Sequence, residues 1–515
     1  MTAYEEWSRA GWAAHLPGVK DIPAHVAGLG EATIPGLAAA SADRVPDRIA
    51  LSIDGEQITH AALNAQAARI AAWLAARVDP GDRVLLAARS SLGFARCYLG
   101  ALRAGAVVVL ANPAYTAAEL AHLVTDSGAA IAFADPGPAR LLAGLPNPPP
   151  AIDPAEVPGS PGRPGIVPRP DGTALLAYTS GTTGKPKAVP LTHRALLISI
   201  RVAMASWGWR EDDVLAHALP LFHQHGLSGV HAALIAGGTA HIAARFTAAG
   251  LASAVREHHA TVLFAVPTMY QALLDDRQYH GRLLAGLRLA VCGSAPLTAL
   301  LAERSATELG CAPLVRYGLT ETGLNVSHLA TDIRPGSVGI PFPGVLVRLW
   351  ANGAAAPPGT DGEIQVRGPH VFHGYSGNPS ATAESFTPDG WFRTGDIGRL
   401  DPATGHLVIR GRSKEMIITG GLNVYPREVE MVLEGHPSVA EAAVAGVPHP
   451  HWGEQVTAWV TRRPGHAFDE AALIAHAHTA LAGYKCPKRV YLLPALPRTP
   501  LGKLQRTALA EPPPA

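Results

Sequence analysis

The chain has 515 residues, too many for one ordinary core, which predicts two or more domains. Hydrophobic residues make up 48% and charged residues 16%, so a large packed core is expected and global disorder is excluded. A net charge of +1 argues against nucleic acid as a bulk electrostatic partner.

The N-terminus carries Glu5 and Glu6 and lacks a basic-then-apolar leader, and no apolar run reaches the roughly 20 residues of a membrane span. The expectation is a cytoplasmic protein. Residues 45–135 alternate short apolar runs with Ala-rich stretches. Residues 61–77 and 94–105 read as helices, 82–87 and 106–110 as strands, which is the βαβ grammar of a doubly wound sheet. The proline-rich stretch 145–171 reads as an extended surface connection. Four cysteines (Cys97, Cys292, Cys311, Cys486) are scattered with no C-x-x-C pair, the pattern of buried small residues in a reducing compartment. The histidine groups His258-His259 and His449-Pro-His451 fit no common zinc spacing.

An apolar run at 173–177 reads as a buried strand, and Tyr178-Thr-Ser-Gly-Thr-Thr-Gly-Lys-Pro-Lys187 follows it. Gly181 and Gly184 permit a tight backbone path around a phosphate. Thr179, Ser180, Thr182 and Thr183 add hydroxyls, and Lys185 and Lys187 add positive charge. The string is not a Walker A loop: Thr179 stands where the first glycine belongs, and Pro186, without a hydroxyl for magnesium, follows Lys185. The bland alternative is a polar hairpin, since apolar residues resume at Ala188-Val189. Thr192 is a fitting N-cap for a helix running to about Trp207.

A second unit repeats the pattern, with strands at 261–265, 287–292 and 314–317, each ending in a polar or glycine-containing loop. One loop is Gly293-Ser294-Ala295-Pro296-Leu297, suited to backbone contact with a base. Another is Tyr317-Gly318-Leu319-Thr320-Glu321-Thr322, with an aromatic to cover a purine and a carboxylate to hold magnesium on phosphates. From Gly344 the chain turns to short strands, at 362–367, 392–400 and 406–409, a small β unit. Trp391-Phe-Arg-Thr-Gly-Asp396 sets a carboxylate after a tight turn, suited to a ribose diol, and Arg412-Ser-Lys-Glu415 and Pro500-Leu-Gly-Lys503 supply cations. Singly each string has a bland reading as a capped loop, a turn or a solvated charge. A helix begins near Pro426 and runs through Glu434, and the tail 511–515 reads as disordered.

Together and in this order, over residues 35–507, these strings resemble the adenylate-forming superfamily of acyl- and aryl-CoA synthetases, luciferases and adenylation domains. The resemblance implies an α/β fold: a large N-terminal domain (1–411) with doubly wound sheets and the small β unit, and a smaller, mobile α+β C-terminal domain (412–515). It implies an ATP-dependent, AMP-forming ligase that makes an acyl-adenylate and passes the acyl group to a thiol. Thr179 to Lys187 would lie over the β- and γ-phosphates, Glu321 would hold magnesium and Thr320 would contact phosphate. Tyr317 and Gly318, with Gly293 to Pro296, would line the adenine pocket, and Asp396 and Arg412 would bind the ribose side. Lys503 would bridge carboxylate and α-phosphate, Lys414 would be the hinge, and Gly420-Gly421 would face the site during thioester formation. Ala188 stands where the family's loop usually has glycine.

Pro220-Leu-Phe-His223-Gln-His225-Gly226 resembles the acyl-pocket wall of CoA ligases, with His223 beside the reacting carboxylate and His225 a packed or loop histidine. These strings, with Ala244-Arg245-Phe246 and Thr320-Glu-Thr-Gly-Leu324-Asn325, look most like the malonyl- and oxalyl-CoA synthetase branch. That implies a small dicarboxylate, with Arg288 and Arg245 as candidate anchors for its far carboxylate and Leu324 in the pocket wall. The alternative is a stand-alone ligase for an aryl or short-chain monoacid. Implied cofactors and partners are ATP, Mg2+, and coenzyme A or a carrier protein's phosphopantetheine thiol, with neither nucleic acid nor a membrane span.

Overall fold

The computed structural model describes residues 2–160, 167–179, 186–419, 422–450, 452–498 and 504–509. Among these the strands form four sheets. In the first, Ala151–Ile152, Ile131–Ala134, Arg83–Ala87, Val107–Leu110 and Thr173–Thr179 run parallel, and Lys187–Thr192 closes the edge antiparallel. All four residues of Val107–Leu110 are buried, as a parallel strand covered on both faces requires. The helices His60–Ala75 and Leu92–Arg103 fall within a residue or two of their expected places.

The second sheet has nine strands. Its parallel centre comprises Leu314–Leu319, Leu289–Cys292, Val262–Ala265, Val214–His217, Thr239–Ile242 and Ile49–Ile53. The last of these turns back through Asp54-Gly55, both left-handed at φ +48° and +88°, into Glu56–Thr59. That Asp-Gly hairpin splits the 45–135 run between two sheets. A five-stranded antiparallel sheet follows, in which Asp361–Arg367, Phe392–Leu400 and Leu407–Arg412 are neighbours. The fourth sheet lies beyond the 3-10 turn Ser413–Glu415, with the helix Pro426–Glu434 packed on its strand Val439–His449.

Local signals explain where the elements begin. Thr192 Oγ1 accepts a hydrogen bond from Ala195 N at 3.1 Å and caps the helix His193–Ser206. Pro426 opens its helix at a position where the missing N–H costs nothing. One hydrophobic cluster runs from Tyr4 to Leu407 and another from Ile417 to Val490, the cores of a large N-terminal and a smaller C-terminal domain. Among the described residues no helix is long and apolar enough to cross a membrane.

Arg288 lies away from the strand ends that carry the expected ligand loops. It immediately precedes the strand Leu289–Cys292, roughly 15 Å along the backbone from Gly293. Its guanidinium grips Asp213, with Nε 3.3 Å from Oδ1, and its Nη1 donates to Trp207 O at 3.0 Å. Asp213 is buried and also accepts from Thr261 Oγ1 at 2.7 Å and Arg210 N at 2.7 Å. Arg288 thus ties together the N-terminal ends of three strands and is not an acyl-pocket anchor. Arg288→Met is expected to lower the stability of the large domain by about 2–3 kcal/mol by leaving a buried carboxylate short of its partner. The check is the midpoint of urea unfolding, and an unchanged midpoint would refute the structural role.

Candidate active site

The strands Val214–His217, Leu289–Cys292 and Leu314–Leu319 end at one edge of the nine-stranded sheet, the place where open parallel sheets bind ligands. Alternation along Leu314–Leu319 sends neighbouring side chains to opposite faces. Tyr317 turns toward the antiparallel sheet, where its hydroxyl donates to Asp396 Oδ2 at 2.7 Å. Asp396 stands directly across from Arg412 in the ladder, and Arg412 Nε lies 2.9 Å from Asp396 Oδ1. Burial pushes the Tyr317 hydroxyl pKa well up, and the Asp396 charge adds to it, so the phenol stays a donor. Burial opposes the Arg412 charge, but Asp396 and Tyr317 outweigh it and the pKa is raised. The structure therefore brings together Tyr317, Asp396 and Arg412, three of the residues expected around the nucleoside.

Thr320, Glu321 and Thr322 form the tip between Leu314–Leu319 and Gly323–Ser327. The tip is tight: a Cβ on Gly318 would lie 1.8 Å from Gly323 O, and Gly323 has φ +57°. Thr322 Oγ1 accepts from Leu319 N at 3.3 Å and from Asn325 Nδ2 at 2.7 Å, which fixes the turn. Glu321 is buried, and its Oε1 accepts from Tyr375 Oη at 2.9 Å. No hydrogen bond to its Oε2 occurs among the described residues. A carboxylate oxygen with no hydrogen bond among the described residues is the donor type that suits a hard cation such as magnesium.

Thr179 pairs with Lys187 at the base of the phosphate loop. Ser180, Gly181, Thr182, Thr183, Gly184 and Lys185 lie outside the described residues, as do Gly420, Gly421 and Lys503. Lys187 Nζ sits 4.9 Å from the centre of the Tyr375 ring. Ala188 lies within the strand, paired with Tyr178, its methyl buried and its carbonyl accepting from Ser376 N at 2.9 Å. The methyl that departs from the family's glycine thus packs into the core of the first sheet. Lys414 lies in the turn Ser413–Glu415 that links the two domains.

On the other face, Arg316 and His217 both lie close enough to His225 to act on its charge. A Cβ on Gly293 would come within 3.1 Å of Arg316 Nε and 3.2 Å of His225 Cε1, so an added methyl would press on both side chains. His225 Nδ1 and Ser294 Oγ are 2.9 Å apart, and Ser294 is held in the left-handed region at φ +68°. The ring of Phe264 lies 5.7 Å from His225 and 5.8 Å from the Arg316 guanidinium. His225 and His217 have pKa values lowered by burial, the latter to about 4, so both are neutral near pH 7. Burial also pushes the Arg316 guanidinium down to about 9, still charged at neutral pH. Among the described residues the buried atoms Arg316 Nε, His225 Nε2, His217 Nε2 and Gln224 Nε2 have no hydrogen-bond partner. Among the described residues Arg316 has neither a hydrogen bond nor an ion pair.

His223 is the N-cap residue of Gln224–Ala236, its ring 4.7 Å from that of Phe222. Leu324 is buried, with its N–H donated to Ser199 Oγ at 2.9 Å. Arg245 is exposed on the loop after Thr239–Ile242. Sequence reasoning did not single out Arg316 or Tyr375. The signal for Arg316 was its place directly before Tyr317, inside a strand that delivers a ligand loop.

The chain matches the model for AMP-binding enzymes over residues 38–376 and that for the AMP-binding enzyme C-terminal domain over residues 428–503. It is 39% identical to a feruloyl-CoA synthase of Amycolatopsis sp over 469 residues, covering 89% of this chain and 94% of that protein. It is 35% identical to an oxalate–CoA ligase of Arabidopsis thaliana over 514 residues, covering 93% of this chain and 98% of that protein. The crystal structure of ATP-bound MatB from Rhodopseudomonas palustris superposes with a TM-score of 0.86 at 37% identity, covering 92% of this chain and 98% of that one. The chain therefore belongs to the AMP-binding enzyme family, as an adenylate-forming ligase of the acyl-CoA synthetase kind.

Proposed function

We propose that this protein is an ATP-dependent carboxylate–CoA ligase for a small acid with a second anionic group, such as malonate, bound with its far carboxylate on Arg316. The observation that carries the reading is the Arg316 side chain beside His225, with the buried Arg316 Nε and His225 Nε2 both lacking a hydrogen-bond partner among the described residues. An enclosed cation without a counter-ion is costly to desolvate, and a bidentate carboxylate offsets much of that cost. Arg316 replaces Arg288 and the exposed Arg245 as the anchor. The likeness to an oxalate–CoA ligase supports a small diacid, and the likeness to a feruloyl-CoA synthase keeps an aryl monoacid as the competing outcome.

In the first half-reaction a carboxylate oxygen attacks the α-phosphorus of ATP, and the bond to pyrophosphate breaks. Asp396, Arg412 and Tyr317 would hold the nucleoside, with Thr320 and Lys187 on the phosphate side. Magnesium on the free oxygen of Glu321 would neutralise triphosphate charge. Lys503 would bridge the attacking carboxylate and the α-phosphate, and His223 would flank the reacting acid. In the second half-reaction the CoA sulfur attacks the acyl carbon, AMP leaves, and the thiol proton goes to solvent. Two reactions at one site call for an exchange of residues, which a C-terminal domain (412–515) turning about Lys414 would supply, bringing Gly420-Gly421 in for the second.

Three measurements test this reading. Arg316→Met is expected to lower kcat/KM for malonate about a hundredfold or more while leaving butyrate within a fewfold. Arg288→Met should leave the ratio between acids unchanged. A parent enzyme that prefers butyrate or benzoate would overturn the diacid reading. Lys503→Ala should slow adenylate formation by about 10²–10³, the worth of a preorganised donor, and still allow thioester formation from supplied acyl-adenylate. Equal loss of both half-reactions would remove that assignment. Lys414→Pro, with φ fixed, should keep pyrophosphate release and lose thioester formation. Normal overall turnover in that variant would place the hinge elsewhere.

A further inference from the structure

The segment Phe372–Ser376 touches both charged walls of the proposed triphosphate site. At one end Phe372 N–H donates to Glu321 O at 2.8 Å, and at the other Ser376 N–H donates to Ala188 O at 2.9 Å, one residue from Lys187. Tyr375 lies between them. Its hydroxyl donates to Glu321 Oε1 at 2.9 Å, and its ring face lies 4.9 Å from Lys187 Nζ. One side chain thus engages a carboxylate with its polar end and an ammonium with its π face.

The tyrosine is itself held. Its N–H donates to Thr382 Oγ1 at 2.9 Å, and that hydroxyl donates to Asn378 O at 2.9 Å within the helix Pro379–Ser385 and its cap. Gly374 permits this approach: its φ is +143°, and a Cβ there would lie 2.5 Å from Thr382 Cγ2. The ring of Phe372 meets that of Tyr375 edge-on, with centroids 4.9 Å apart. Backbone, helix and aromatic contacts all set the direction of the phenol.

We propose that Tyr375 is a positioning residue that holds Glu321 and Lys187 apart and aimed, so that the two opposite charges do not pair with each other before nucleotide arrives. Its hydroxyl occupies one oxygen of Glu321 and leaves Oε2 for the metal. Its ring seats the Lys187 ammonium without neutralising it, which leaves that charge for phosphate. The inference rests on the roles proposed above for Glu321 and Lys187. Its consequence is a division by chemistry: the hydroxyl serves the metal, the ring serves the phosphate.

The test is calorimetric ATP binding to the full chain, titrated over Mg2+ concentrations and repeated in EDTA, for the parent, Tyr375→Phe, Tyr375→Leu, Glu321→Gln and the Tyr375→Leu/Glu321→Gln double variant. Tyr375→Phe keeps the ring and is expected to raise the Mg2+ concentration for half-maximal binding about tenfold, with ATP affinity in EDTA unchanged. Tyr375→Leu should show the same metal defect and, because Lys187 then falls onto Glu321, an affinity in EDTA about fivefold weaker. Adding Glu321→Gln to Tyr375→Leu should restore the affinity in EDTA, a rescue that general damage to the fold would not give. A Mg2+ dependence in Tyr375→Phe equal to the parent's, while Glu321→Gln shifts it, overturns the inference and leaves the metal role of Glu321 standing. A parental Mg2+ dependence in Glu321→Gln overturns that metal role and the inference with it. No rescue in the double variant overturns the role given to the ring.

Discussion

A β-strand cannot send two consecutive side chains the same way, and the site is organised around that constraint at Arg316 and Tyr317. The strand Leu314–Leu319 runs between its parallel neighbour Leu289–Cys292 and its antiparallel neighbour Gly323–Ser327, so its register is fixed from both sides. A slip of one residue would put Arg316 or Gly318 in the place of Tyr317 beside Asp396, and both halves of the site would be lost together. The close approach of Gly318 to Gly323 O helps to prevent such a slip, because a side chain at the bulge would not fit. The same strand ends in the turn that carries Glu321. One register therefore sets the proposed nucleoside contacts, the proposed metal carboxylate and the proposed acyl-side cation at once.

The two faces differ in how their charges are treated. On the nucleoside face each group has a partner: Tyr317 and Arg412 both meet Asp396. On the proposed acyl face burial holds His217 and His225 neutral, and among the described residues Arg316 has no acceptor. Unpartnered buried donors are rare and costly in a folded protein, and the pair at Arg316 and His225 supports the proposal of a ligand as the missing partner. The opposite arrangement at Arg288 shows the contrast. There a buried acid, a hydroxyl, a backbone N–H and a carbonyl complete the network, and nothing remains for a substrate.

Much of this was legible in the sequence because the signals were local. Thr192 as a cap, Pro426 as a helix start, and the apolar runs at 83–87 and 107–110 each depend on a few adjacent residues. Asp396 and Arg412 were legible as motif positions, although their facing register depends on pairing that no short window contains. Arg288 and Arg316 defeat a window-based reading for one reason. Each is an arginine near a strand that feeds a ligand loop, but one stands at the strand's entry and the other near its exit, and only the direction of the sheet separates them. Tyr375 was hidden because its partners, Glu321 and Lys187, are far away along the chain. The Asp54-Gly55 hairpin carried an ordinary turn signal, and its sheet partner Thr239–Ile242 is the part that sequence could not supply.

The contact between the two domains has the character that the proposed alternation requires. Arg410, on the last strand of the large domain, places Nη2 3.2 Å from Glu428 Oε1 on the first helix of the small one, and Lys485 Nζ reaches the same oxygen at 2.7 Å. Among the described residues Glu428 Oε2 and Arg410 Nε, both buried, have no hydrogen-bond partner, although Arg410 Nε lies 3.7 Å from Asp361 Oδ1. Breaking the polar contact between the domains exposes groups that water solvates well, and the net cost is small compared with separating an apolar interface. Within the small domain the opposite holds. Arg506 joins Glu415, Glu430 and the carbonyl of Val444, and Arg427 adds Glu430 and Glu434, a buried network that ties the end of the linking turn to the helix Pro426–Glu434. Stiff connections inside the small domain and a weak, polar contact outside it are what the proposed hinge at Lys414 requires. A body so built can turn without deforming, and that is the condition under which one site can be offered to two different chemical steps in succession.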